Sequence, residues 1–389
     1  MKDKGFAWII CLACFLVAAV GDGVGSSIGV LTPHIRKLMQ SKSGSTALAE
    51  SLHIGLPYSM APIIVIVVKK FGFRLTSVMG GIIFSTSLFV CGYLKTILSL
   101  TLVYGIISGI GMGFMVNGAQ FVINVYFDKK RALANSIFFC GAPLGSAMSA
   151  QILSKVLETY GLKAAFWCES VAVVVATLVC CFIKEPKADY HEPQNEVKNE
   201  PFPKNTTEEN DAITREQNQS KQQRTEYIMD WFRETYELIS TNKAFVVYQI
   251  ARFLHYLGVT VPAFHCVPML KAEWNSLTND QAALAFSIFQ YSNIGGRLAT
   301  CFLDKFSEQA TLISACGSFV CALSISTISL LIGENIAYIY VASAVFGLSA
   351  GPTTTLGALC LINIVGSDGF ATALGIHMAI YGVATVSGD

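Results

Sequence analysis

Charge is what this sequence has least of. Only 14% of its 389 residues are Asp, Glu, Lys or Arg, against about a quarter in a typical soluble protein. The formal net charge is +1, and the lack of a basic surplus argues against a nucleic-acid partner. Clustered chemistry is missing as well. No HExxH, no P-loop and no grouped nucleophile and base occur, so neither an enzyme nor a cofactor is expected. Gly109-Ile110-Gly111-Met112-Gly113 lies within an apolar run with no strand before it and is not a phosphate loop. The 12 cysteines mostly fall inside apolar runs (Cys11, Cys14, Cys180, Cys181, Cys316, Cys321) and read as small buried hydrophobes. That excludes a secreted disulfide module and leaves no metal site in view.

What the chain has is apolar length. Hydrophobic residues make up 53%, the mean hydropathy is +0.52, and the few charges are unevenly spread. Residues 184–242 hold 21 of the 53 charged side chains. The remainder divides into apolar runs of about 20 residues or more, enough to cross about 30 Å of hydrocarbon as helix. Eleven are placed: 7–32, 46–68, 75–94, 98–125, 133–154, 164–183, 244–268, 279–303, 309–332, 336–362 and 370–387. The first is too long for a signal peptide and contains an acid, so it is a retained span. With the N-terminus in the cytoplasm, 18 Lys and Arg fall inside and 7 outside, and 10 against 7 without the central loop. The expectation is an all-α membrane protein with a cytoplasmic N-terminus. Residues 1–183 would form a six-helix half, 184–243 a disordered cytoplasmic loop, and 244–389 a five-helix half.

Polar groups inside the spans are the sharper signal, because an ion at bilayer depth is costly unless it faces water or a partner. Asp22 lies near the middle of span 1 and Arg297 well inside span 8, neither with a short route to the surface. They line a pathway or form a buried ion pair. Arg252 snorkels toward the cytoplasm or is functional, and Glu169 reaches the interface by a short tilt. His255 and His265 share span 7. His265, three residues past Pro262, is placed either to touch substrate or to pack. Glycines repeat every fourth residue at Gly21, Gly25 and Gly29, at Gly105, Gly109 and Gly113, and at Gly347 and Gly351. Such faces let backbones approach closely. They mark either helices that slide past one another in a transport cycle or static packing.

Several segments together resemble the monocarboxylate transporter family, solute carrier family 16 of the major facilitator superfamily. The most specific is Tyr126-Phe127-Asp128-Lys129-Lys130-Arg131-Ala132-Leu133-Ala134-Asn135 followed by Gly141-Ala142-Pro143-Leu144-Gly145. It is similar to the family's span 4–5 signature, and marks Asp128, Lys129, Lys130, Arg131, Gly141 and Gly145 as candidate gating residues. Asp3-Lys4-Gly5-Phe6-Ala7-Trp8 resembles the family's entry to span 1, with Phe6 in place of a Trp. Phe71-Gly72-Phe73-Arg74, Gly258-Val259-Thr260-Val261-Pro262 and Ser292-Asn293-Ile294-Gly295-Gly296-Arg297 match loop 2–3, span 7 and span 8.

The resemblance implies the major-facilitator fold, a plasma-membrane location, a small carboxylate as substrate, the lipid bilayer as surroundings, and in some relatives a single-span accessory glycoprotein. It also implies a mechanism from which this chain departs. Proton-coupled members use a Lys in span 1 and an Asp–Arg pair in span 8. Here Ser26 stands at the Lys position and Asn293 at the Asp position, while Arg297 is kept. Asp22, one turn before Ser26, is the candidate to have taken over the acidic role, as partner of Arg297 and proton acceptor. Arg297, His265, Asn293 and Ser26 are the candidate substrate contacts. Members carrying larger substrates without protons, such as aromatic amino acids or thyroid hormones, resemble it equally at His265 and Asn293. The family continues past span 11 into a twelfth span, so a truncated, non-transporting form is a further expectation.

Overall fold

The structure is a computed structural model. It describes residues 3–40, 43–127, 130–183, 233–274, 276–300, 309–331, 333–366 and 369–388. These residues contain helices and no strand. In order they are α1 (Phe6–Met39), α2 (Ser43–Ser59), α3 (Ala61–Phe71), α4 (Phe73–Cys91), α5 (Ile97–Leu100), α6 (Gly109–Tyr126), α7 (Arg131–Phe182), α8 (Lys243–Glu273), α9 (Asn279–Thr300), α10 (Ala310–Leu331), α11 (Ile336–Thr355), α12 (Gly357–Val365) and α13 (Phe370–Gly388). A π-helical turn, Thr101–Ser108, joins α5 to α6. Hydrocarbon offers no hydrogen bonds to a bare backbone, which is why apolar runs of this length close on themselves as helices.

Helix lies in every one of the eleven apolar runs, as far as the described residues reach. Among the described residues, six helices are long and apolar enough to cross a membrane. Eleven crossings remain the expectation from sequence. Two runs are continuous in α7, interrupted only at Gly161, whose φ of 79° is the left-handed conformation that glycine tolerates. Gly72, at φ 78°, makes the corresponding break between α3 and α4 within the Phe71–Arg74 motif. Asn242 and Asn335 cap α8 and α11, accepting from the backbone N–H groups of Phe245 and Ala337 at 3.0 and 2.9 Å.

The surface follows bilayer logic. Leu12, Val171, Val175, Phe182, Phe319 and Leu330 are exposed, while Asp22, Glu50, His53, Gln249, Arg252, Asn293 and His377 are buried. Lys163 lies 4.2 Å over the Tyr93 ring and 4.6 Å over Trp167, an arrangement suited to a membrane interface. Far along the helices from there, the backbone N–H of Lys130 donates to Asp3 Oδ1 at 3.1 Å and Trp8 meets Phe127 edge to face at 5.0 Å. Two of the motif segments are therefore in contact.

Three expectations change. Residues 233–241 are helical and Thr372 Oγ1 donates to Glu234 at 2.6 Å, so the disorder expected over 184–243 does not extend through them. Residues 184–232 lie outside the described residues. Glu169 is buried, within electrostatic reach of Tyr104 and Cys91, rather than tilted to the interface. The periodic glycines pack helices on one side of the central stretch. Gly105, Gly109 and Gly113 sit against α2, where an added Cβ would come 3.1, 3.2 and 3.0 Å from Ala49 O, His53 O and Pro57 Cα. Gly347 and Gly351 lie on α9 in the same way. Close approach across the chain falls at glycines outside those series. A Cβ on Gly55 of α2 would come 2.7 Å from the Gly382 carbonyl of α13, and one on Gly382 would come 2.5 Å from the Gly55 carbonyl.

Candidate functional site

Arg297 is held by both sides of the molecule. Its Nε donates to Asn293 Oδ1 at 2.6 Å, one turn earlier on α9. Its Nη1 donates to the backbone carbonyl of Phe139 on α7, also at 2.6 Å. That carbonyl is available for a reason written in the sequence. Residue 143, four positions on, is Pro and has no N–H to offer it. The proline of the Gly141–Gly145 segment thus leaves an acceptor that the span 8 guanidinium occupies.

The glycines beside this bond set the helix positions. On Gly145 a Cβ would collide with the Ala19 carbonyl, and on Gly141 it would come 2.5 Å from the Phe15 carbonyl, so α7 lies directly on α1. From the other side, a Cβ on Gly351 would come 2.6 Å from the Arg297 backbone nitrogen. Further bonds run along the α7–α9 contact. Ser287 Oγ donates to the Ala147 carbonyl at 3.2 Å and Ser154 Oγ to Asp280 Oδ1 at 2.8 Å.

Asp22 faces the same centre from α1. Tyr58 on α2 donates to its Oδ1 at 3.3 Å, and Arg297 is within electrostatic reach of Asp22, Tyr58 and Tyr381. Among the described residues no direct ion pair joins Asp22 to Arg297. The hydroxyl of Ser26 donates to the Asp22 backbone carbonyl at 2.8 Å, so it turns back onto its own helix.

From Asp22 a line of tyrosines crosses to α8. The Tyr58 ring meets Tyr381 of α13 at 4.5 Å, and Tyr381 meets Tyr256 of α8 at 4.5 Å, both edge to face. Arg252 Nη2 donates to the Tyr256 hydroxyl at 2.6 Å. That hydroxyl lies 3.0 Å from His377 Nε2, and His377 Nδ1 lies 3.0 Å from Gln249 Oε1. With the amide oxygen as acceptor, Nδ1 carries the proton and Nε2 accepts from Tyr256.

The structure brings Asp22, Ser26, Asn293 and Arg297 to one region, with Gly141 and Gly145 immediately beside them. Lys130 is exposed at the contact with Asp3 and Trp8. Asp128 and Lys129 lie outside the described residues, as do the side chains of Arg131 and His265. Tyr58, Tyr256, Tyr381, His377 and Gln249 escaped the sequence reading. His377 and Gln249 are polar groups in apolar runs, and Gln249, Arg252 and Tyr256 fall at one-face helical spacing, so the signal was present. Cys11 and Cys14 have C-x-x-C spacing, but on α1. No group of His, Cys, Asp or Glu among the described residues could hold a metal ion.

Residues 10–388 match the family model of the Major Facilitator Superfamily. Chicken monocarboxylate transporter 3 is 23% identical over 394 residues, covering 99% of this chain and 72% of the relative. Human monocarboxylate transporter 6 is 25% identical, covering 98% and 73%. Rat monocarboxylate transporter 2 is 21% identical, covering 96% and 74%.

Proposed function

The chain belongs to the major facilitator superfamily and is a multi-pass membrane transporter, and from that premise we propose that it carries a small monocarboxylate. The observation that supports this reading is the setting of Arg297. A half-buried guanidinium sits among helices, held by two neutral oxygens and in contact with no carboxylate of the described residues. Its planar fork matches a carboxylate, and the attraction is strong where water is scarce.

The same geometry suggests how binding drives the cycle. Residues 1–183 and 244–389 act as two units that rock about the centre. The bond from Arg297 to Phe139 ties α9 to α7. A substrate carboxylate that draws Nη1 to itself releases that tie, so occupancy and opening are linked. Asp22 is the proton acceptor, its charge sensed by Arg297 and its carboxylate met by Tyr58. The chain lies in the plasma membrane with its N-terminus in the cytoplasm. His265, Asn293 and Ser26 complete the substrate surroundings, and the Asp128–Arg131 segment gates the cycle.

A second reading has one observation in its favour. The Tyr58–Tyr381–Tyr256 line offers aromatic faces beside the cation, which suits a larger aromatic carboxylate carried without a proton. Uptake of labelled lactate and phenylalanine in cells expressing the chain, with surface abundance measured alongside, separates the two. Lactate uptake that is saturable and weakened by Arg297→Lys agrees with the first reading. Phenylalanine uptake alone overturns it in favour of the second. A surface-expressed chain that moves neither overturns the carrier reading.

A further inference from the structure

Arg252 does not reach for the surface. It is 3% exposed on α8. Its Nη2 donates to Tyr256, its Nη1 donates to Ser314 Oγ at 3.5 Å, and its Cζ lies 4.6 Å over the Tyr256 ring. All of these partners are neutral, and among the described residues no carboxylate pairs with it. A cation left so at bilayer depth is strongly disfavoured.

Three polar atoms near this spot are left over, His255 Nε2 and two donors. Arg252 Nε and Gln249 Nε2 are buried donors without a hydrogen-bond partner. Gln249 is committed through its oxygen to His377, so its amide N–H₂ is the free end. Gly357 faces the same place. A Cβ there would lie 3.6 Å from Arg252 Nη2 and 3.5 Å from His377 Nε2, in van der Waals contact with both, so a larger side chain would press on them. One unpaired guanidinium, two unspent donors and a position without a side chain describe a receptor for an anion.

We propose that Arg252, Gln249 and Gly357 form a second carboxylate site. The tyrosine line through Tyr58, Tyr381 and Tyr256 connects it to the region of Arg297 and Asp22. The proposal rests on the reading of the chain as a carboxylate carrier. Two guanidinium stations divide the binding between them, so a carboxylate is held at each without being trapped. Arg252 then obtains its counter-ion from the cargo.

The test is thermal unfolding of the purified full chain in detergent, followed by intrinsic fluorescence. Sodium lactate and sodium benzoate are titrated against sodium chloride at equal ionic strength. The chains are the parent, Arg252→Gln, Arg297→Gln, the double variant, and Gly357→Leu in the Arg297→Gln background. Carboxylate should still stabilise Arg297→Gln. The double variant should respond to carboxylate no more than to chloride. Gly357→Leu, which leaves the charge in place, should weaken the remaining response at least tenfold in apparent affinity. Without carboxylate, Arg252→Gln should unfold no earlier than the parent, since it removes an unpaired buried charge.

The proposal is overturned if Arg297→Gln alone abolishes the carboxylate response, if chloride matches carboxylate, or if Arg252→Gln unfolds earlier or fails to accumulate. The last result would make Arg252 a structural cation. Failure of the Arg297 reading looks different. Arg297→Gln would then respond as fully as the parent while Arg252→Gln lost the response. A parent chain stabilised by neither carboxylate overturns both.

Discussion

Replacing Pro143 with Ala should loosen a contact made by a residue it does not touch. The substitution restores an N–H four residues after Phe139, and the Phe139 carbonyl then has a partner within α7. Arg297 Nη1, now 2.6 Å from that carbonyl, must share it or lose it. A hydrogen bond to a charged donor contributes about 1.5–3 kcal/mol. Its loss changes the equilibrium that holds α7 against α9 by about tenfold to a hundredfold, at about 1.4 kcal/mol per tenfold. The fold itself should not suffer, because Ala inside a helix is favoured over Pro by about 3 kcal/mol. Cys140 is a built-in reporter, being next to Phe139, 5% exposed and within electrostatic reach of Arg297. Its modification by a membrane-permeant maleimide, read by peptide mass spectrometry, should rise about tenfold or more in Pro143→Ala. Cys14, fully buried on α1, serves as the unchanged reference. Equal Cys140 labelling in the two chains refutes the reasoning. The carbonyl would then accept both bonds, and Pro143 would have no part in holding Arg297.

Other outcomes follow from the same contacts. Asp22→Asn, a permanent mimic of the protonated acid, should abolish stimulation of lactate uptake by an inward proton gradient, measured at matched surface abundance. Stimulation equal to the parent's would remove Asp22 from proton coupling. Gly145→Leu places a side chain into the Ala19 carbonyl, and overpacking of this kind costs typically about 1–3 kcal/mol. It should lower the unfolding temperature and surface expression more than Gly44→Leu on α2, where an added Cβ meets nothing within 4 Å and the backbone is helical. Gly382→Val should separate α13 from α2, where Gly55 and Gly382 are back to back. Here transport should fall while the other helix contacts persist, and transport at the parent's rate would show that this approach is dispensable.

How much was legible in the sequence depended on the distance over which each signal acts. The helices were readable because apolar length decides them locally, and the run 98–125 coincides closely with the continuous helical stretch from Ile97 to Tyr126. The break at Gly161 falls inside the gap left between the runs 133–154 and 164–183, although helix fills the rest of that gap. The bond between Asn293 and Arg297 follows from spacing, since residues four apart share a helix face. The bond from Arg297 to Phe139 does not, because it joins segments 158 residues apart. Pro143 hinted that an acceptor would be free at Phe139 but not which donor would find it. Arg252 was located as an ion in a span, yet its burial depends on Tyr256, His377 and Ser314, which come from three helices. Asp22 and Arg297 were expected to line a pathway or to form a pair. They share a region without a direct bond, Tyr58 donating to Asp22 and the Phe139 carbonyl accepting from Arg297.

The central claim is that this chain moves a monocarboxylate with Arg297 as its cation, and the most direct test is counterflow by the purified protein in liposomes. Vesicles loaded with unlabelled lactate and diluted into a trace of labelled lactate should accumulate label transiently. Arg297→Gln should reduce this to the level of protein-free vesicles, and Arg297→Lys should leave it well below the parent's. Counterflow by Arg297→Gln equal to that of the parent chain would contradict the account.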